Sequence, residues 1–261
     1  MGSGIIHSMK RLVWGLVIFA MLGLGCAQFP SGGGTAQGRR LVITLKVAGR
    51  INAQYGTYFF MINTEPFNTG VPINEPIPIV APPWGNGIAE GRYNYFVVWS
   101  SDFPNDYRLY RVDPDNLQNY QFIGRPVAST LPNIDDTAVG ESTRTIRFEI
   151  LLSQILPTAA LPDQVIDTIR FNYITTDKWG VLSPQDSKRW DALGNSNIGD
   201  INKAIILDIR QDKIVNNTNR NPDPSSPEPE GDVTLSGPNG QMENITVPDL
   251  DIVDWQVEVR S

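Results

Sequence analysis

Leu41-Val42-Ile43-Thr44-Leu45-Lys46-Val47 decides the fold class. Leu41, Ile43, Leu45 and Val47 share one face of an extended chain, and a period of two is the mark of a half-buried strand. The pattern recurs at 55–63 (YGTYFFMIN), 77–80 (IPIV), 92–100 (RYNYFVVWS) and 107–112 (YRLYRV). It continues at 120–123 (YQFI), 143–150 (TRTIRFEI), 166–175 (IDTIRFNYIT) and 204–209 (AIILDI). Most of these runs are short, rich in β-branched and aromatic residues, and bounded by Gly, Pro, Asn or Asp. Twenty prolines and twenty-three glycines supply the turns and edges that such a chain needs. One short helix is expected at about 151–156, ended by Pro157. No fixed-period repeat is present, which argues against a solenoid or propeller. The expectation is an all-β chain, an antiparallel β-sandwich of roughly nine to eleven short strands with at most one or two short helices.

Outside the strands the composition changes twice. Residues 27–38 (AQFPSGGGTAQG) are small, polar and Gly-rich, so 26–39 reads as a flexible tether ahead of a sandwich domain at 40–215. Residues 216–231 (NNTNRNPDPSSPEPEG) are rich in Pro, Asn and acids and have no apolar periodicity. Beyond them, Val253, Trp255, Val257 and Val259 alternate with Asp254, Gln256 and Glu258. The segment 232–261 is too short for a second domain. It is expected to dock back on the main sheet, beside the first strand, which makes 216–231 a surface loop.

At the start, Lys10 and Arg11 precede an apolar run of about 14 residues, short of the roughly 20 that a spanning helix requires. The run ends at Gly23-Leu24-Gly25-Cys26, and Cys26 is the only cysteine. A basic start, a short apolar stretch and small residues ending at a cysteine resemble the signal peptide of bacterial lipoproteins. That resemblance implies removal of 1–25, acylation of Cys26 and anchoring through N-terminal acyl chains. With Ala27 rather than an aspartate after the cysteine, it also implies the outer membrane or cell surface of a Gram-negative envelope. The alternative is a retained anchor with an unmodified thiol. A second resemblance is confined to fold. TRTIRFEILLSQIL and IDTIRFNYITTD, spanning roughly 35 residues, resemble the strand, short helix, strand unit of DOMON-type and family 9 carbohydrate-binding sandwiches.

Charge and residue inventory narrow the function. Removing 1–25 takes away two cations and no acid, so the net charge of −7 becomes −9. An acidic surface argues against nucleic acid as a partner. His7, the only histidine, lies in the removed segment. That excludes a Ser-His-Asp triad, a Cys-His dyad and a His or Cys zinc site in the mature chain. Twenty-eight acids guarantee carboxylate pairs at glycosidase spacing by chance, so their abundance says almost nothing about catalysis.

The remaining candidates are loops. In Pro82-Pro83-Trp84-Gly85-Asn86-Gly87 the prolines stiffen the entry and the glycines permit a tight turn, which would present Trp84 and Asn86 to a sugar face. The opposing reading buries Trp84 as a cap over the sandwich end. Asp177 and Trp179, with Trp190, set aromatics beside a carboxylate and could take a polyol. The opposing reading is an ordinary turn in which Asp177 bonds its own backbone. Asp113 and Asp115 begin like a calcium loop, but Leu117 and Gln118 break its pattern and favour an Asx-turn. Asp249, Asp251 and Asp254 form a second acidic cluster open to structural calcium. No other cofactor is expected.

The composite expectation is a lipid-anchored, non-catalytic module of the cell envelope that binds a glycan or another envelope ligand. Two rivals stand beside it. One is an assembly lipoprotein making protein contacts through sheet edges, and the other is a carboxylate-dependent hydrolase. An exposed aromatic row, an open apolar edge or a deep cleft with paired acids would mark the three in turn.

Overall fold

A computed structural model describes residues 38–64, 93–113, 116, 119–156, 166–177, 186–193, 205–218, 233–237 and 242–261. These residues form two antiparallel sheets. The smaller contains β1 (Arg40–Val47), β6 (Ala128–Thr130), β7 (Thr145–Leu151), β11 (Lys213–Asn216) and β14 (Ile252–Arg260), in the order β11-β14-β1-β7-β6. The larger contains β2 (Thr57–Asn63), β3 (Tyr95–Ser100), β4 (Arg108–Val112), β5 (Tyr120–Gly124), β8 (Thr168–Thr176), β9 (Lys188–Ala192), β10 (Ile205–Asp208), β12 (Thr234–Ser236) and β13 (Met242–Asn244). Its order is β13-β12-β9-β8-β2-β3-β4-β5, with β10 paired to β8. Two single-turn helices, α1 (Glu141–Arg144) and α2 (Leu152–Ile155), flank β7.

The described strands outnumber the expected set. The additional ones include β6, β12 and β13 at three residues each and β11 at four, too short for a period of two to be visible. β9 occupies a stretch that sequence reasoning treated as a loop. The expected strand at 77–80 lies outside the described residues.

Strand β1 sits in the middle of the smaller sheet. Ile43 is opposite Val257 of β14 on one side and Phe148 of β7 on the other. The last strand of the chain therefore pairs with the first. Both present their alternating apolar positions to one core, with Leu41, Ile43, Leu45 and Val47 joined by Trp255, Val257 and Val259.

The larger sheet supplies the facing layer from Tyr58, Phe60, Ile62, Val97, Trp99, Phe171 and Tyr173. Phe60 lies 5.1 Å from Tyr173 and 5.3 Å from Phe171, and Trp255 meets Phe171 edge-on at 5.7 Å. Such pairs add to the area they bury. Polar links also cross the layer, among them the Tyr107 hydroxyl on the Thr130 carbonyl at 2.9 Å. The Tyr173 hydroxyl, on β8, reaches the carbonyls of Thr44 at 3.1 Å and Gln256 at 3.2 Å. These two residues are opposite one another in the β1–β14 ladder. Burial holds the Tyr173 phenol well above its ordinary pKa, with Asp254 adding to the shift, so it remains a donor.

The larger sheet is buried on its other face too. Phe59, Met61, Phe96, Val98, Tyr110, Val112, Ile174, Trp190 and Ala192 form a second apolar cluster there, with Tyr93 and Phe103. Every residue of β2 and β3 is buried as a result.

Replacing Tyr173 by Phe keeps the ring and removes the bridge. We expect a loss of about 1 kcal/mol, read as a lower urea midpoint with an unchanged slope. A neutral or stabilising effect would show that the hydroxyl contributes nothing to holding the sheets together.

Candidate functional site

A groove of ≈ 510 Å³ opens where the β1–β2 connection meets β9, β12 and the segment leading into β14. Tyr55, Arg189, Leu235, Ile245, Thr246, Val247, Pro248 and Asp249 line it. Its construction starts with Asn52. The Asn52 side-chain oxygen accepts the N–H groups of Gln54 at 2.9 Å and Tyr55 at 3.1 Å, which fixes the turn that carries the Tyr55 ring. The Asn52 amide donates to Asp249 Oδ2 at 2.9 Å, and Asp249 Oδ1 accepts the Arg50 N–H at 2.9 Å. Beneath them the Tyr58 hydroxyl accepts from the Asn52 N–H and donates to the Asp249 carbonyl, each at 2.8 Å. Residues almost 200 positions apart are thus joined in one network.

Glycine permits this approach. The Gly49 N–H donates to the Pro248 carbonyl at 2.6 Å, and a Cβ on Gly49 would stand 2.7 Å from the Pro248 backbone. On the far wall, Asp177 Oδ1 accepts the Arg189 N–H at 3.0 Å, and the Asp177 N–H donates to the Arg189 carbonyl at 3.2 Å. Two buried contacts seat the floor. Asp191 Oδ2 accepts the Ile252 N–H at 2.7 Å, and the Thr175 hydroxyl donates to the Leu250 carbonyl.

The groove is mixed in character. Tyr55 is half-buried, while Arg189 and Thr246 are exposed. The Arg189 guanidinium makes no ion pair among the described residues. Burial raises the pKa of the Tyr55 phenol, Asp249 raises it further, Arg189 opposes and Asp177 adds a smaller push. Near neutral pH the phenol is therefore protonated. Both carboxylates already accept N–H groups, so they are fixed acceptors with remaining lone pairs. The arrangement offers a ring, a planar cation, a hydroxyl and two anchored carboxylates to a polar ligand.

The sequence-predicted residues fare unequally. Asp177 closes the turn beyond β8 and β9 and stands beside the groove. Trp190 requires a correction: it is 1% exposed and belongs to the outer apolar cluster of the larger sheet. The cause is strand alternation, because β9 turns Trp190 into the cluster and Arg189 outward. Trp84, Asn86, Trp179 and Asp115 lie outside the described residues.

The three carboxylates Asp249, Asp251 and Asp254, expected as a calcium cluster, do not come together as a group. Among the described residues no three acidic, His or Cys side chains converge to hold a metal. Asp249 turns its oxygens to N–H donors, Asp251 is buried, and Asp254 is exposed with Oδ1 on the Trp255 N–H at 2.9 Å. Asp113 ends β4 in a turn, its N–H donating to the Asn119 carbonyl at 2.9 Å and its carbonyl accepting from Asn116.

Sequence reasoning missed Tyr55 and Thr246 altogether. The signal for Tyr55 was local: an Asn three residues ahead of a Tyr-Gly pair is a side-chain-capped turn. Nothing local marks Thr246, because only the long-range pairing of 248–249 with 49–52 brings it there.

No family model matches the chain, and neither a curated protein nor a solved structure matches it. Nor is any helix among the described residues long and apolar enough to cross a membrane.

A Gly49→Ala substitution tests the construction. Overpacking against Pro248 and Asp249 should cost about 1–3 kcal/mol in urea unfolding. A cost near zero would mean that the loops can separate without loss.

Proposed function

We propose that this chain is a lipid-anchored envelope protein whose β-sandwich binds a glycan, without catalysis, in the groove of Tyr55, Arg189, Thr246 and Asp249. The observation that carries the reading is the Tyr55 ring held by Asn52 beside an Arg189 guanidinium that has no ion pair among the described residues. A half-exposed ring can cover the apolar face of a pyranose, and guanidinium and carboxylate groups bond the hydroxyls around it. Because the turn is pre-built, little loop-ordering entropy is spent on binding. Carboxylates tied to backbone and amide N–H groups suit recognition better than proton transfer, which needs an acid and a base of unequal affinity for the proton.

The anchor half of the proposal rests on the sequence around Cys26. An acylated N-terminus followed by the Gly-rich residues 27–38 would let the domain sample polysaccharide near the membrane surface.

Two experiments test the two halves. On a glycan and cell-wall polysaccharide array, Tyr55→Ala and Arg189→Ala should each weaken binding by roughly tenfold or more while leaving the unfolding midpoint close to wild type. If no glycan binds the wild-type protein, the groove does not serve carbohydrate. For the anchor, Cys26→Ser should abolish metabolic labelling with palmitate and move the protein out of the detergent phase. Undiminished labelling in that variant would place any acylation elsewhere.

A further inference from the structure

Asn52 has each of its polar groups engaged. Its side-chain oxygen holds the Gln54 and Tyr55 N–H groups, its amide donates to Asp249, and its carbonyl accepts the Gly56 N–H at 2.9 Å. Its own N–H goes to the Tyr58 hydroxyl, which donates in turn to the Asp249 carbonyl, each at 2.8 Å. Tyr58 is a fixed base for these bonds. It lies on β2, is 2% exposed and sets its ring 5.6 Å from Trp99. Burial pushes its pKa far above the ordinary phenol range, so the hydroxyl keeps the proton that it donates. Only a glycine at 56 admits the ring so close to the turn. A Cβ there would stand 2.7 Å from Tyr58 Cε2 and 2.8 Å from its hydroxyl.

The two walls of the groove are held differently. The Asp249 wall is tied on both sides of that residue. The Gly49 N–H bonds the Pro248 carbonyl at 2.6 Å, the Ala48 N–H that of Asp251 at 2.8 Å, and the Thr175 hydroxyl that of Leu250. On the Tyr55 side only the flanks of the turn are tied elsewhere. The Ile51 N–H bonds the Thr143 carbonyl at 2.8 Å, and the Ser101 N–H bonds the Gly56 carbonyl at 2.9 Å. Between them, Asn52 carries the turn, and it reaches the opposite wall through its side-chain amide and through the Tyr58 hydroxyl. Removing that hydroxyl strands the Asn52 N–H and leaves the Asp249 wall with its other bonds. The consequence falls on the Tyr55 turn.

We propose that Tyr58 is the positioning residue of the groove: its hydroxyl holds the Tyr55 turn against the Asp249 wall and so fixes the geometry that a ligand meets. For the ligand this rests on the glycan reading given above, whereas the holding of the turn rests on the bonds alone. A turn already held loses little conformational freedom on binding, and a released one loses more.

The test is Tyr58→Phe in the full chain, which keeps the buried ring. Without ligand, amide exchange at Gln54 and Tyr55 should speed up by about tenfold more than at Ile43 and Val257, whose strand amides report overall stability. The Tyr55 phenol, assigned by difference with Tyr55→Phe, should titrate nearer its ordinary value, because burial and Asp249 both act on it less once the turn leaves the wall. Glycans held by the wild-type protein should bind roughly tenfold more weakly. Asn52→Ala breaks the same link, so adding Tyr58→Phe to it should weaken binding little further. The proposal is overturned if Gln54 and Tyr55 exchange speeds up only as much as β1 and β14. Undiminished glycan binding in Tyr58→Phe overturns it too, as do losses that simply add in the double variant. If no glycan binds the wild-type protein, the glycan reading falls, and the ligand-free exchange decides by itself whether Tyr58 holds the turn.

Discussion

Buried polar contacts span the sandwich: the Tyr107 hydroxyl on the Thr130 carbonyl, the Asp191 carboxylate on the Ile252 N–H, and the Tyr173 phenol. Tyr173 rises from β8 and reaches the carbonyls of Thr44 and Gln256, the paired residues at the heart of the β1–β14 ladder. Apolar burial alone would hold two sheets face to face but would tolerate sliding, because it has no direction. A buried donor must find its acceptor, and leaving it unmade costs more than making it gains. The phenol, with the Asp191 and Tyr107 contacts, therefore fixes which residues of the larger sheet lie over which residues of the smaller. Phe60, Phe171 and Trp255 pack around it in the register it permits.

β2 and β3 of the larger sheet are buried on both faces, whereas β5 of the same sheet is largely exposed. The groove lies at strand ends, where Asn52, Asp249 and Asp177 anchor the connections. It sets polar groups of both signs around one ring, and that mixture is what the proposed glycan reading draws on.

The fold was legible where strands were long and one-sided. Leu41 to Val47 and Trp255 to Val259 alternate at the inward positions and become strands with that face in the core, whereas Val253 is only half-buried, because the register shift at Lys46 and Val47 brings Ile252 inward in its place. β9 was not legible. It sits within a sheet covered on both faces, and Lys188, Trp190, Asp191 and Ala192 are all buried, so no polar-apolar alternation marks it. That is also why Trp190, which looked like a binding aromatic beside Asp191, is instead packed in the outer cluster. The groove was legible only in fragments. Asp177 was singled out beside Trp179 and Trp190 for a polyol, and Asp249 beside Asp251 and Asp254 for calcium. Their N–H partners, Arg189 and the pair Arg50 and Asn52, come from other segments of the chain.

By itself, the sequence determined the all-β class, the apolar faces of its long strands and a residue inventory in which His7 is the only histidine. Each of these depends on local periodicity or on residue inventory, which neighbouring chain segments do not alter. Tertiary structure alone decided that Tyr55, Arg189, Thr246 and Asp249 share a groove and that the Asp249 carboxylate accepts the N–H groups of Arg50 and Asn52. Those facts depend on pairings between residues far apart in the chain. Strand periodicity states which side of a strand is apolar, but which strand lies beside it is settled by the packing of the whole.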